Sequence, residues 1–178
     1  MLIRGLVCSF AIASRLRELV LSRKHMRRSG AASEGTWSRL TYPIMVLLHS
    51  AVLGGTLLRG KKPVWPFLIA FIAVQPLRLW ILRTLGDSWN TRGAVPAEMT
   101  PTTSGPYKFI RHPNYAIVIV ELCSLPAGFG LYRLAIVASI VNGWLLWLRI
   151  RGEETLLIRL QGYNEHFADK KRFVPFVV

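Results

Sequence analysis

Acid is scarce in this chain. Nine Asp and Glu stand against 23 Lys and Arg, and charged residues make up only 18% of the 178 positions, below the roughly 25% usual in soluble domains. Cysteine is scarcer still: Cys8 and Cys123 both lie in apolar runs, which excludes a disulfide scaffold. Glycine and proline, at 14 and 10 residues, are too few for a collagen-like or disordered chain. Also missing are a Gly-x-Gly-x-x-Gly after a strand, a phosphate-binding loop, a His-Glu-x-x-His and any Cys or His cluster at zinc spacing. A soluble nucleotide-binding fold and a metal site are therefore not expected. A net charge of +14 would suit nucleic acid. Yet 52% of the residues are hydrophobic and the mean hydropathy is +0.35. No nucleic-acid partner is expected, and the apolar mass points to a membrane.

A membrane-spanning helix needs about 20 mostly apolar residues. Residues 40–58 are free of formal charge, 63–82 carry only Arg78, 113–131 carry only Glu121, and 134–150 carry none before Arg149. The N-terminal stretch 2–21 is less clean, with Arg4, Arg15, Arg17 and Glu18. Arg15 and Glu18, three apart, share a helix face. Arg4 followed by the apolar stretch 5–13 and the small-x-small triplet Ala11-Ile12-Ala13 also fits a cleavable secretory signal. The first reading is an all-α integral membrane protein of about five spans, a single domain over 1–178. Its cytoplasmic loop and C-terminal tail form the site, in a functional region from 90 to 175.

Five spans leave 15 cations on the side that receives residues 22–41, 83–112 and 149–178, against five on the other. The positive-inside rule then makes the N-terminus external and the C-terminus cytoplasmic, in the plasma or inner membrane if the source is bacterial. The excess cations also touch anionic lipid headgroups. Residues 83–112 form the one long connection, rich in Thr, Pro and Gly, and a loop of that length in a small protein is usually functional.

Two clusters on the cytoplasmic side carry chemistry. One is the run from Gly105 through Tyr107, Arg111, His112, Pro113, Asn114 and Tyr115. Pro113 keeps His112 out of the helical region and suits a first helical turn, so His112 stands at a helix entrance, where Arg111 and free backbone N–H groups favour an anion. The alternative is headgroup anchoring by Arg111 and His112, with Tyr107 and Tyr115 in an aromatic belt. The other cluster is Arg149-x-x-x-Glu153-Glu154. Asn142, Arg149 and Glu153 project from one helix face toward a cavity, unless Arg149 and Glu153 simply pair at the interface. Glu121, an acid inside a span, is a functional candidate by default, with a hydrogen bond to another helix as its alternative. His49 reads as a contact between helices, and Trp65, Trp80, Trp144 and Trp147 as belt or packing residues.

Together these residues resemble the isoprenylcysteine carboxyl methyltransferase family, membrane enzymes that use S-adenosylmethionine. The resemblance rests on Gly105-x-Tyr107-x-x-x-Arg111-His112-Pro113-Asn114-Tyr115, on Arg149-x-x-x-Glu153-Glu154-x-x-Leu157 and on Arg172-Phe173-Val174-Pro175. The Arg-His-Pro element is shared with membrane sterol reductases; the Arg-x-x-x-Glu-Glu half discriminates. The N-terminal half, with Arg15-Leu16-x-Glu18-Leu19 and Tyr42-Pro43-x-Met45, looks most like short bacterial members found with type III polyketide synthases, which are thought to methylate alkylresorcinol or alkylpyrone lipids. Where the prenylcysteine enzymes carry a Tyr-x-x-Tyr pair in the tail, Tyr163 is here followed by His166 and Phe167.

The resemblance implies cofactor contacts at Tyr107, His112, Pro113, Asn114, Tyr115 and Glu153, with Thr100 and Thr102 from the stretch 99–102. It implies a substrate contact at Arg149 and a lipid-like small-molecule substrate. Physically, His112 suits the carboxylate of the cofactor, Glu153 its ammonium and ribose, and Tyr107 its adenine. A phenol acceptor, with a pKa near 10, would call for a base or for a cation such as Arg149. Glu121 and His112 are the candidate bases, and Arg149 and Glu121 the candidate catalytic pair. A membrane reductase using NADPH and a non-catalytic membrane scaffold are the other two readings.

Overall fold

The computed structural model describes residues 1–28, 32–96 and 99–173; Val174 and Pro175 of the terminal motif lie outside them. Five long helices follow one another: α1 (Leu2–Arg28), α2 (Thr36–Arg59), α3 (Trp65–Leu85), α4 (Pro113–Ala127) and α5 (Tyr132–Leu157); a short α6 (Tyr163–Phe167) lies in the tail. Helices dominate, as the apolar runs predict. Segments Thr36–Arg59, Trp65–Ser88 and Tyr132–Leu157 are long and apolar enough to cross a membrane, and α4 is apolar but shorter. At 15 residues, α4 is about 22 Å long, short of a bilayer core of about 30 Å.

The surface supports the same conclusion. Leu47 is 70% exposed, Ile69 61% and Ile140 68%, a display of large aliphatics on α2, α3 and α5 that water would penalise and lipid does not. The protein is an integral membrane protein. The inward faces of α1 to α5 meet in one cluster around Ala11, Val52, Leu68, Phe71, Leu122, Phe129 and Ala138.

Helix bounds depart from the apolar windows in ways that shape the site. α1 runs on through the basic stretch to Arg28, since Arg and Lys are good helix formers and only their tips need water. α4 stops at Ala127, four residues before the end of its window, where Gly128 and Gly130 turn the chain. α5 continues seven residues past its window to Leu157, so Glu153 and Glu154 ride on a rigid helix.

The long connection is more ordered than a turn-rich segment suggests. β1 (Ala32–Glu34) and β2 (Ala94–Pro96) pair antiparallel, Ser33 opposite Val95, and tie the α1–α2 link to this loop. Gly35, just before α2, abuts α5: a Cβ there would stand 2.9 Å from the Gly152 carbonyl oxygen.

Candidate functional site

α1, α3 and α4 each bring charge into the interior. Arg15 Nη1 lies 2.7 Å from Glu18 Oε2 and its Nη2 meets Glu121. Arg78 donates to both acids, with Nη1 3.2 Å from Glu18 Oε1 and Nε 3.1 Å from Glu121 Oε1, and its Nη2 closes on Glu121 Oε2. Gln75 Nε2 adds a 2.9 Å bond to Glu121. Two arginines and two glutamates cancel in charge, which makes their burial tolerable. Glu121, a candidate for the reacting centre, is instead bound to α1 and α3, its oxygens taken by Arg15, Arg78 and Gln75.

A cavity of about 500 Å³ runs along the α2 face and is bounded by all five long helices, the loop after α3 and the tail. Its polar end is lined by Thr102, Tyr107, His112, Asn114, Tyr115, Glu153 and Tyr163, its apolar end by Ile12, Leu16, Val46, Leu53 and Gly54, and Arg149 lies on its wall. Arg15, Glu18 and Arg78 border it, whereas Glu121 does not. Of the other candidates, Pro113 and Thr100 are off the wall: Pro113 is buried at the start of α4 and Thr100 faces outward. Asn142, expected to share a cavity-facing stripe with Arg149 and Glu153, is buried among packed helices instead.

At the centre, Arg149 Nε donates to Tyr115 Oη at 3.0 Å, and Tyr115 Oη donates to Glu153. Arg149 Nη1 reaches Met45 Sδ at 3.3 Å and Nη2 binds the Thr91 carbonyl. Gly93 makes room for this: φ is +65°, and a Cβ would press on the guanidinium at 3.2 Å, so only glycine serves without strain.

Just ahead of the helix entrance the tail takes up two amides: the Arg111 and His112 N–H groups donate to the Lys171 and Arg172 carbonyls at 2.9 and 3.0 Å. The Arg111 side chain binds the Lys170 and Ala168 carbonyls at 2.6 and 2.9 Å. His112 caps α4 and its Nε2 faces Glu154 at 3.1 Å. Glu154 was visible in the sequence only as the neighbour of Glu153; its position as the anchor of His112 depends on which way α5 is turned.

Electrostatics keep the phenols at the polar end neutral. Burial, with Glu153 nearby, pushes the Tyr107 hydroxyl up; burial, with Glu154 nearby, pushes Tyr163 up to about 12. Hydrogen bonding to Glu154 raises Arg172 above its ordinary value. Asn114 Oδ1 is buried with no hydrogen-bond partner among the described residues.

Comparison with known proteins bears on the same segments. The profile of the isoprenylcysteine carboxyl methyltransferase (ICMT) family matches residues 67–159, a stretch that contains the helix entrance and the Arg149–Glu153–Glu154 motif. Over 159 residues the chain is 31% identical to the uncharacterized protein YpbQ of Bacillus subtilis (strain 168), covering 85% of this chain and 95% of that one.

Proposed function

The chain belongs to the isoprenylcysteine carboxyl methyltransferase family, and from that premise we propose that it transfers a methyl group from S-adenosylmethionine to a lipid-tailed acceptor, a phenol or enol in preference to a prenylcysteine carboxylate. Members of this family use S-adenosylmethionine as methyl donor. One observation carries the reading: a single cavity that joins the polar groups of the loop and tail to apolar side chains of α1 and α2 and is bordered by Arg149.

The residues at the polar end suit that cofactor. Glu153 offers a carboxylate to an ammonium or ribose, the partnerless Asn114 Oδ1 offers an acceptor, and Tyr107 and Phe167 offer flat walls. His112, already held by Glu154, keeps a fixed ring at the edge of the site. The cofactor supplies an electrophilic methyl on a sulfonium. The protein holds the acceptor oxygen in line with that methyl and excludes water. Arg149 stabilises negative charge on the acceptor oxygen. The apolar end accepts a hydrocarbon tail, and the altered tail motif at His166 and Phe167 favours an acceptor other than prenylcysteine.

Titration calorimetry of detergent-purified protein with S-adenosylhomocysteine and with NADPH tests the cofactor; heat with NADPH alone would overturn the methyltransferase reading. Labelled S-adenosylmethionine offered with a pentadecylresorcinol and with N-acetyl-farnesylcysteine tests the acceptor. Label on the resorcinol is expected, and label only on the farnesylcysteine carboxylate would overturn the acceptor class.

A further inference from the structure

On the cavity wall, α2 presents Tyr42, Met45, His49 and Leu53 in one stripe, spaced as a helix face requires. The stripe maps depth. Met45 touches Arg149; His49 is one turn further along; Leu53 and Gly54 belong to the apolar end. His49 therefore stands between the cation that borders the site and the compartment suited to a lipid tail.

Its protonation pattern is set by its own helix. His49 Nδ1 lies 2.7 Å from the Met45 carbonyl oxygen, which can only accept, so Nδ1 carries the hydrogen. In the neutral ring Nε2 is then a bare acceptor, and it has no partner among the described residues. The other bases of the cavity have other tasks: Glu18 is paired with Arg15 and Arg78, His112 faces Glu154, and Glu153 accepts from the Tyr115 hydroxyl through one oxygen and is the carboxylate proposed for the cofactor. The charged groups facing His49 are Arg15 from α1, Arg78 from α3 and Glu121 from α4; with Glu18 they form the neutral quartet.

We propose that His49 Nε2 accepts the hydroxyl proton of the methyl acceptor, so that the site selects neutral hydroxyl-bearing lipids, phenols or enols. This rests on the methyltransferase reading and deepens it. The hydroxyl donates to Nε2 in the bound state. As the acceptor oxygen forms its bond to the methyl carbon, the C–S bond breaks with its electron pair kept by sulfur, and the hydroxyl proton passes to Nε2. The imidazolium then releases that proton to water at the cavity mouth. Bond formation makes the oxygen strongly acidic, so even a modest base suffices. A carboxylate has no proton to give, and its lone pairs oppose that of Nε2.

The test compares wild type with His49→Leu and His49→Gln, using a pentadecylresorcinol and N-acetyl-farnesylcysteine as acceptors. S-adenosylhomocysteine affinity should stay within about two-fold in both variants, because His49 is apart from Glu153 and Asn114; this also reports folding. Calorimetric binding of the resorcinol without cofactor should weaken about ten-fold in His49→Leu, the loss of one hydrogen bond, and recover in His49→Gln, whose amide oxygen accepts. Turnover of the resorcinol should fall roughly 10²–10⁴-fold in both, the range of a lost general base, so His49→Gln separates kcat from KM. Wild-type resorcinol binding and turnover in His49→Leu would overturn the proposal. Wild-type protein that binds no S-adenosylhomocysteine would instead bring down the methyltransferase reading beneath it.

Discussion

Arg172 closes side-on over Glu154, with Nε 3.0 Å from one carboxylate oxygen and Nη2 2.6 Å from the other. His112 shares the first of these oxygens at 3.1 Å. One carboxylate at the end of α5 thus holds both the tail and the start of α4, and the strand-like contact of Ile110 with Lys171 follows from being held there. Glu154→Gln keeps the shape and removes the charge. We expect tryptic cleavage at Lys170 and Lys171 to accelerate and S-adenosylhomocysteine to bind about ten-fold more weakly, in line with a lost charge-assisted bond. An unchanged digestion pattern would show that the backbone ladder alone retains the tail.

Glu153 and Asn114 are predicted to hold the cofactor directly. Glu153→Ala should weaken S-adenosylhomocysteine binding by about 1.5–3 kcal/mol, the worth of a hydrogen bond to a charged group, and His112→Ala by a similar amount because Glu154 then loses its partner at the entrance. Asn114→Leu should cost less, about 1 kcal/mol. Calorimetry on folded Glu153→Ala protein with wild-type affinity would refute the role of that carboxylate.

The quartet makes a different prediction, about folding. Removing one member of a buried charge set leaves another uncompensated, at about 3–5 kcal/mol. Like Arg15, Arg78 is bonded to both Glu18 and Glu121, and it uses three nitrogens to do so, so Arg78→Leu should lower the melting temperature in detergent clearly. Arg78→Leu combined with Glu121→Gln should regain part of the loss, because Arg15 and Glu18 still pair. A double variant that melts below the single one would show that the glutamate is needed for another reason.

How far the sequence discloses this architecture depends on whether a residue's partner is near in sequence. The five long helices follow from apolar runs that carry few charges, and the helix entrance at His112 follows from Pro113, because both are local signals. Arg15 and Glu18 are legible as a pair at i,i+3 for the same reason. Glu121 is legible as unusual, but its partners Arg15 and Arg78 lie 106 and 43 residues away, and no local pattern announces them. The β1–β2 pairing joins segments about 60 residues apart through three-residue strands, too short for alternation to appear. His49 belongs to this class as well: its spacing marks it as polar on an apolar helix, while its place on the cavity wall follows from packing.

Orientation remains a prediction from charge. Of the 20 cations assigned to one side or the other, 15 lie with the loop after α3, the link before α2 and the tail, which predicts that these face the cytoplasm. Alkaline phosphatase fused after residue 60 should be active and the same fusion after residue 178 inactive, with the converse for a fluorescent reporter. Phosphatase activity at residue 178 would reverse the orientation and place the polar end of the cavity away from the cytoplasmic pool of cofactor.

Arg149 is predicted to separate chemistry from cofactor binding. Its guanidinium reaches Glu153 only through Tyr115, whose hydroxyl can still donate to Glu153 when the Arg149 contact at 3.0 Å is gone. Its remaining nitrogens point to Met45 and to the loop at Thr91, toward the part of the cavity nearest His49. Arg149→Gln should therefore change S-adenosylhomocysteine affinity by no more than a few fold while lowering turnover of a hydroxyl acceptor by about 10²-fold, the size of a lost electrostatic stabiliser of developing negative charge. Arg149→Lys keeps the charge but lacks the planar fork that spans Tyr115 and Thr91, so it should recover little. Equal losses in affinity and turnover would mean that Arg149 acts by fixing Glu153, and would move it from the acceptor to the cofactor side of the site.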